Sequence, residues 1–137
     1  MVTLVADKPR DYSQGGIEEY PIIAAQTIFE GCAVGVNPAT GFARKLVALD
    51  AFAGFAYETA DNAAGSAGDK TVRVKSKGKV TLSIAGLTIT SNAHPPVYAS
   101  DDDTFTLTST GNTKIGWVSR WVSTGVAVVE FDAFAVL

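Results

Sequence analysis

The chain has 137 residues, 47% apolar and 18% charged, with a formal net charge of −3. That length fits one domain with one hydrophobic core; the chain is too apolar to be disordered, and its charge gives no overall pull toward nucleic acid or an anionic membrane. No apolar run approaches the roughly 20 residues of a membrane-spanning helix, and the single cysteine, Cys32, has no partner for an intramolecular disulfide, so packing and backbone hydrogen bonds must hold the fold.

In chain order, residues 1–21 stand apart. MVTLVA, residues 1–6, is a short β-prone segment, and a proline and charges follow it too early for a secretory signal, as expected of a soluble protein. DKPRDYSQGGIEEYP, residues 7–21, is polar and has no period of either kind. Such a stretch is long for a loop inside a compact domain. The reading is an N-terminal arm over 1–21 followed by a single β domain over 22–137. Val2, Leu4, Tyr12, Ile17 and Tyr20 are the residues expected to anchor the arm, by strand addition to a neighbouring sheet edge. A frayed terminus is the plainer alternative.

The rest reads as β. NPATG at 37–41 is a turn joining a strand near Cys32–Val36 to one near Phe42–Leu49. Residues 50–64 carry the main helix signal, a capping aspartate and alanines. Gly54 interrupts them, however, and AFAGFAYE spaces its aromatics as a strand would, so a strand followed by the glycine-rich loop 61–69 is favoured. VRVK at 72–75 and VTLSI at 80–84 alternate, with Val72, Val74, Val80, Leu82 and Ile84 inward. SKGK between them predicts a hairpin. TFTLT at 104–108 puts Phe105 and Leu107 on one face. IGWVSRW at 115–121 and Val126–Asp132 complete the set, with turns at 101–103 and 123–125. Many short strands about ten residues apart predict an antiparallel β-sandwich or barrel, jelly-roll-like or β-tulip-like. Trp117, Trp121, Phe131 and Phe134 are expected mainly in the core.

The chemistry-bearing motifs give little. GNTKIG at 111–116 resembles half of a phosphate loop, but Trp117 follows the second glycine where lysine is needed and no helix begins there; it predicts a hairpin between TFTLT and KIGWVSRW. His94 is the only histidine and sits in a loop before two prolines. Asp101–Asp103 run in sequence, whereas calcium loops space their carboxylates alternately, so a solvated turn is the expectation. Lys70, Arg73, Lys75, Lys77 and Lys79 cluster without interleaved aromatics, which suits a solvent face or an acidic protein partner better than nucleic acid.

The stretches ATGFARKL, GFAYETADNAAGSAGDKTVRVKSKG and VYASDDDTFTLTSTGNTKIGWVSRWVSTGVAVVEFD resemble the small capsid cement, or head decoration, proteins of tailed bacteriophages, over about residues 29–132. These are turn-and-strand signatures, so no active-site residue carries over. The resemblance implies a mostly β domain that binds the outer surface of an assembled capsid and stabilises it. Its partners would be the major capsid protein and further copies of itself, with a trimer preferred over a dimer, because the family's sites commonly lie at local symmetry axes. The implied location is the virion exterior after synthesis in the host cytoplasm. No enzyme activity, cofactor or metal is expected, and no nucleic-acid or membrane partner. The rival reading is a carbohydrate- or receptor-binding module of a phage fibre. A third is a small β-barrel hydrolase that pairs His94 with a distant acid.

Overall fold

The computed structural model describes residues 3, 5–10 and 15–137. The main body is an antiparallel β-sandwich. One five-stranded sheet contains Ile17–Pro21 (β1), Ala33–Val36 (β3), Ala43–Lys45 (β4), Ala51–Ala56 (β5) and Thr71–Lys75 (β7), in the order β1-β7-β5-β3-β4. The facing sheet contains Lys77–Ser83 (β8), Pro96–Ala99 (β9), Phe105–Thr106 (β10), Thr113–Ser123 (β11) and Val126–Asp132 (β12), in the order β10-β9-β11-β12-β8. A two-stranded ribbon, Gln26–Ile28 (β2) with Ala60–Asn62 (β6), forms a third, smaller layer.

Two apolar clusters explain the layering. Between the sheets lie Leu46, Phe52, Phe55, Ile84, Leu87, Phe105, Ile115, Val118, Val129 and Phe131, among others. On the other face of the first sheet, Ile22, Ile28, Val34, Ala53, Ala56, Val72 and Val74 pack together beneath the ribbon. The first sheet is thus covered on both faces at β3 and β5, which is why AFAGFA is continuously apolar and not alternating.

A bulge settles the facing of β5. Gly35 pairs with Phe52 and Val34 with Gly54, leaving Ala53 as the extra residue. Phe52 and Phe55, three apart, therefore both enter the inter-sheet core, edge to face at 5.7 Å between centroids. Phe131 lies 4.8 Å from Phe55 and 6.3 Å from Phe52, and Phe105 lies 6.0 Å from Phe55. Gly54 itself adopts φ +130°, and a Cβ there would lie 2.1 Å from the carbonyl oxygen of Lys75. Only glycine allows the two strands to approach that closely.

Several expectations need correction. SKGK is not a hairpin. Lys75 ends a strand of the first sheet and Lys77 begins one of the second, so the chain changes sheets at Ser76, as strands do at sandwich corners. Ser76 is buried at this corner. Its N–H donates to the Gly16 carbonyl at 2.9 Å, and its own carbonyl accepts from the Ala133 N–H at 2.8 Å. The basic residues 70–79 are consequently divided between two sheets. GNTKIG is a turn, with the Asn112 N–H donating to the Ser109 carbonyl, but β9 lies between β10 and β11 and the two do not pair. β10 is so short that Leu107 falls beyond it and is exposed.

The aromatics near the C-terminus divide. Phe131 is core and Trp121 packs against that core, but Phe134 is 59% exposed. Trp117 is half-buried on the outer face of the second sheet, because register shifts along β11 break the simple alternation and turn Ile115 and Val118 inward instead.

The arm boundary moves as well. Ile17–Pro21, expected within an arm ending at residue 21, pair along their whole length with β7, from Ile17 opposite Lys75 to Pro21 opposite Thr71. Charged and half-exposed, IEEYP is an edge strand, and period alone did not reveal it because only Tyr20 packs against a core cluster. Residues 5–10 are exposed.

Candidate functional site: a braced apolar loop

Residues 46–50 connect β4 to β5. Leu46 is buried, whereas Val47 is 48% and Leu49 is 72% exposed. Leu49 also has φ +77°. A left-handed backbone costs an ordinary L-residue about 1–2 kcal/mol, so a bulky apolar residue held there in solvent must be over-determined by its surroundings.

Those surroundings form a polar network between the sheets. The Asp50 carboxylate is buried and accepts from Arg44 through Nε (2.9 Å) and Nη2 (2.7 Å) and from the Val47 N–H (3.1 Å). The Asp50 N–H donates back to the Val47 carbonyl at 2.9 Å. From the other sheet, buried Thr113 Oγ1 accepts the Leu49 N–H at 2.8 Å and donates to the Asp50 carbonyl at 3.1 Å. Gly35 on β3 makes room for the carboxylate, since a Cβ there would lie 2.6 Å from Asp50 Oδ2. The bond to Asp50 also pushes Arg44 above its ordinary guanidinium range.

Beside the loop lies an open cleft of about 320 Å³ lined by Pro38, Leu49, Val136 and Leu137, together with Asn112 and Lys114. Leu137 is 86% exposed. The arrangement presents an apolar rim on a hydrogen-bonded support, the kind of surface that a partner or ligand can cover.

The sequence did not point to Arg44, Leu49 or Thr113, and it offered Asp50 only as a helix cap. The available signal was faint: an arginine and an aspartate six residues apart between apolar neighbours.

The residues considered from sequence are placed elsewhere. His94 closes a 3₁₀ turn over Ile89–Ala93, and its Nδ1 lies 2.9 Å from the Val118 carbonyl oxygen, a structural contact with backbone and not with a carboxylate. Asp101 accepts the Asp103 N–H at 2.9 Å, which holds its carboxyl below the usual range. Asp102 faces inward and accepts from the Cys32 thiol at 3.4 Å. Burial first, and the Asp102 charge second, push that thiol up to about 12. Among the described residues no group of three or more His, Cys, Asp or Glu side chains could hold a metal ion. Arg73 forms a two-pronged pair with Glu58 (3.1 and 3.0 Å), and Arg73 and Lys75 both approach the Tyr57 ring. Of the expected arm anchors, Ile17 is exposed opposite Lys75 and Tyr20 packs beneath the ribbon; Val2, Leu4 and Tyr12 lie outside the described residues.

Comparison with family models, with curated proteins and with solved structures finds no match.

Proposed function

We propose that this chain is a structural virion protein that binds the outer surface of an assembled phage capsid, contacting the major capsid protein and further copies of itself, and so cements the shell. In this role it performs no reaction and needs no cofactor. It is made in the host cytoplasm and ends on the capsid exterior, and a trimer suits a site at a local symmetry axis. The observation that carries the reading is Leu49, an exposed apolar side chain on a left-handed backbone, fixed by a buried network. Backbone strain held in place by its surroundings clusters at functional contacts. On a lattice, many modest contacts of this sort sum to tight retention, because each tethered contact raises the effective concentration of the next.

The test is co-sedimentation with purified capsids, expanded and unexpanded, comparing wild type with Leu49→Gly. Glycine relieves the left-handed strain, so the variant should unfold at an equal or higher denaturant concentration. It should nevertheless be retained on expanded capsids at least roughly tenfold less well, the size expected for one lost apolar anchor. Wild-type protein that stays in the supernatant with both kinds of capsid overturns the function. Equal retention of the two proteins removes Leu49 from the interface.

A further inference from the structure

A second surface, adjoining the first at Lys114, has its own chemistry. The outer face of the second sheet carries Trp117 directly opposite Glu130, and Glu130 directly opposite Lys79. The next outward pair is Asp132 opposite Lys77. Trp117, Glu130, Asp132 and Lys77 border an open cleft of about 550 Å³ whose lining also includes Gly78, Phe131 and Ala135.

Each part of the cleft has a physical reason. Gly78 has no side chain and lies opposite Phe131 in register, and both residues line the cleft while the Phe131 ring itself packs in the inter-sheet core. Asp132 is committed: its Oδ1 accepts the N–H groups of Phe134 (3.0 Å) and Ala135 (3.2 Å), which fixes the turn that brings Ala135 to the rim. Glu130 is exposed, and among the described residues neither Glu130 nor Lys77 is in an ion pair. Lys114 lies over the Trp117 ring at 4.7 Å from its centroid, which orients the indole.

We propose that this cleft binds a saccharide, with a sugar ring stacked on Trp117 and its hydroxyls held between the Glu130 carboxylate as acceptor and the Lys77 ammonium as donor. A flat indole beside one free acceptor and one free donor matches a sugar, which has an apolar C–H face and a rim of hydroxyls that both donate and accept. A purely apolar ligand would strand both charges. A nucleic-acid strand would also stack on the indole, but its phosphates would meet the carboxylates of Glu130 and Asp132 in the same cleft. The site goes beyond the cement reading and does not depend on it.

The test is a titration of the full chain, followed by tryptophan fluorescence and by calorimetry. The probes are maltohexaose, chitohexaose and an oligogalacturonate hexamer, with a fifteen-nucleotide thymidine strand as the competing class. Binding of at least one saccharide is expected; the neutral and acidic arms distinguish whether Lys77 meets a hydroxyl or a sugar carboxylate. Trp117→Ala should weaken that binding by roughly tenfold or more, as expected for loss of a stacking contact. Because Trp117 is half-buried, Glu130→Gln serves as the second variant; it alters only an exposed carboxylate and should weaken binding severalfold with an unchanged melting temperature. Trp121→Phe, on the core side, should leave affinity unchanged. The proposal is overturned if no saccharide binds, if Trp117→Ala and Glu130→Gln both bind as well as wild type, or if only the thymidine strand binds.

Discussion

Replacing Asp50 by asparagine tests whether the loop that carries Leu49 is braced as described. The substitution keeps the shape and removes the charge. Oδ2 accepts from both Arg44 Nε and the Val47 N–H while Oδ1 accepts from Arg44 Nη2, so either amide orientation sets an NH₂ group against a donor. Hydrogen bonds to charged groups contribute about 1.5–3 kcal/mol each, and a buried polar group left without a partner costs a further ~1–3 kcal/mol. Arg44 is 24% exposed and recovers part of its hydration, which places the net loss toward the lower end. The expected destabilisation is about 2–3 kcal/mol, or a fall in melting temperature of roughly 10 °C for a domain of this size. Urea unfolding followed by circular dichroism measures it, and a cycle with Arg44→Met isolates the pair, with an expected coupling of about 2 kcal/mol. A loss below about 0.5 kcal/mol for Asp50→Asn would refute the reasoning, because it would mean that water replaces the network without cost.

Three further outcomes follow from the fold. Gly54→Ala places a Cβ 2.1 Å from the Lys75 carbonyl at φ +130° and should cost roughly 3 kcal/mol or more, whereas Gly86→Ala, at φ +75° with nothing within 4 Å, should cost only about 1 kcal/mol; equal urea midpoints would contradict the close approach of β5 and β7. Cys32 should resist iodoacetamide at pH 8 in the folded protein and react once unfolded, as read by mass. Since its folded value near 12 lies above the unfolded value of 9.0, its contribution to stability is complete below pH 9.0 and is lost as pH rises toward 12, a loss that Cys32→Ala should abolish. Removing residues 1–14 should shift the melting temperature by no more than about 2 °C, because the Gly16 carbonyl still accepts from Ser76; removing 1–21 strips β7 of its partner and should destabilise by several times more, and similar effects from both truncations would place the domain boundary elsewhere.

The sequence by itself determined the class of the fold and much of its punctuation. Alternation in VRVK, the valine-rich run Val126–Asp132, glycine-bearing turns at 37–41 and 123–125, and Gly54 within a run of aromatics were sufficient for an antiparallel sandwich or barrel, because side-chain period and turn chemistry are local properties. Local signals could not say which strands become neighbours. SKGK reads as a hairpin from its own residues, and only the burial of Ser76 between Gly16 and Ala133 makes it a corner between sheets. IEEYP carries no period because one face meets little core, and its pairing with residues fifty or more positions away makes it a strand. The same holds for the candidate sites. Leu49 becomes a presented residue only when Arg44, Asp50 and Thr113 converge on its loop, the last of them 64 positions away. Trp117 meets Lys77 and Glu130 only because bulges in β11 turn it outward and β8 joins the far edge of the same sheet. Register and sheet order are set by which apolar faces can be buried together, a property of the whole chain that no short stretch contains.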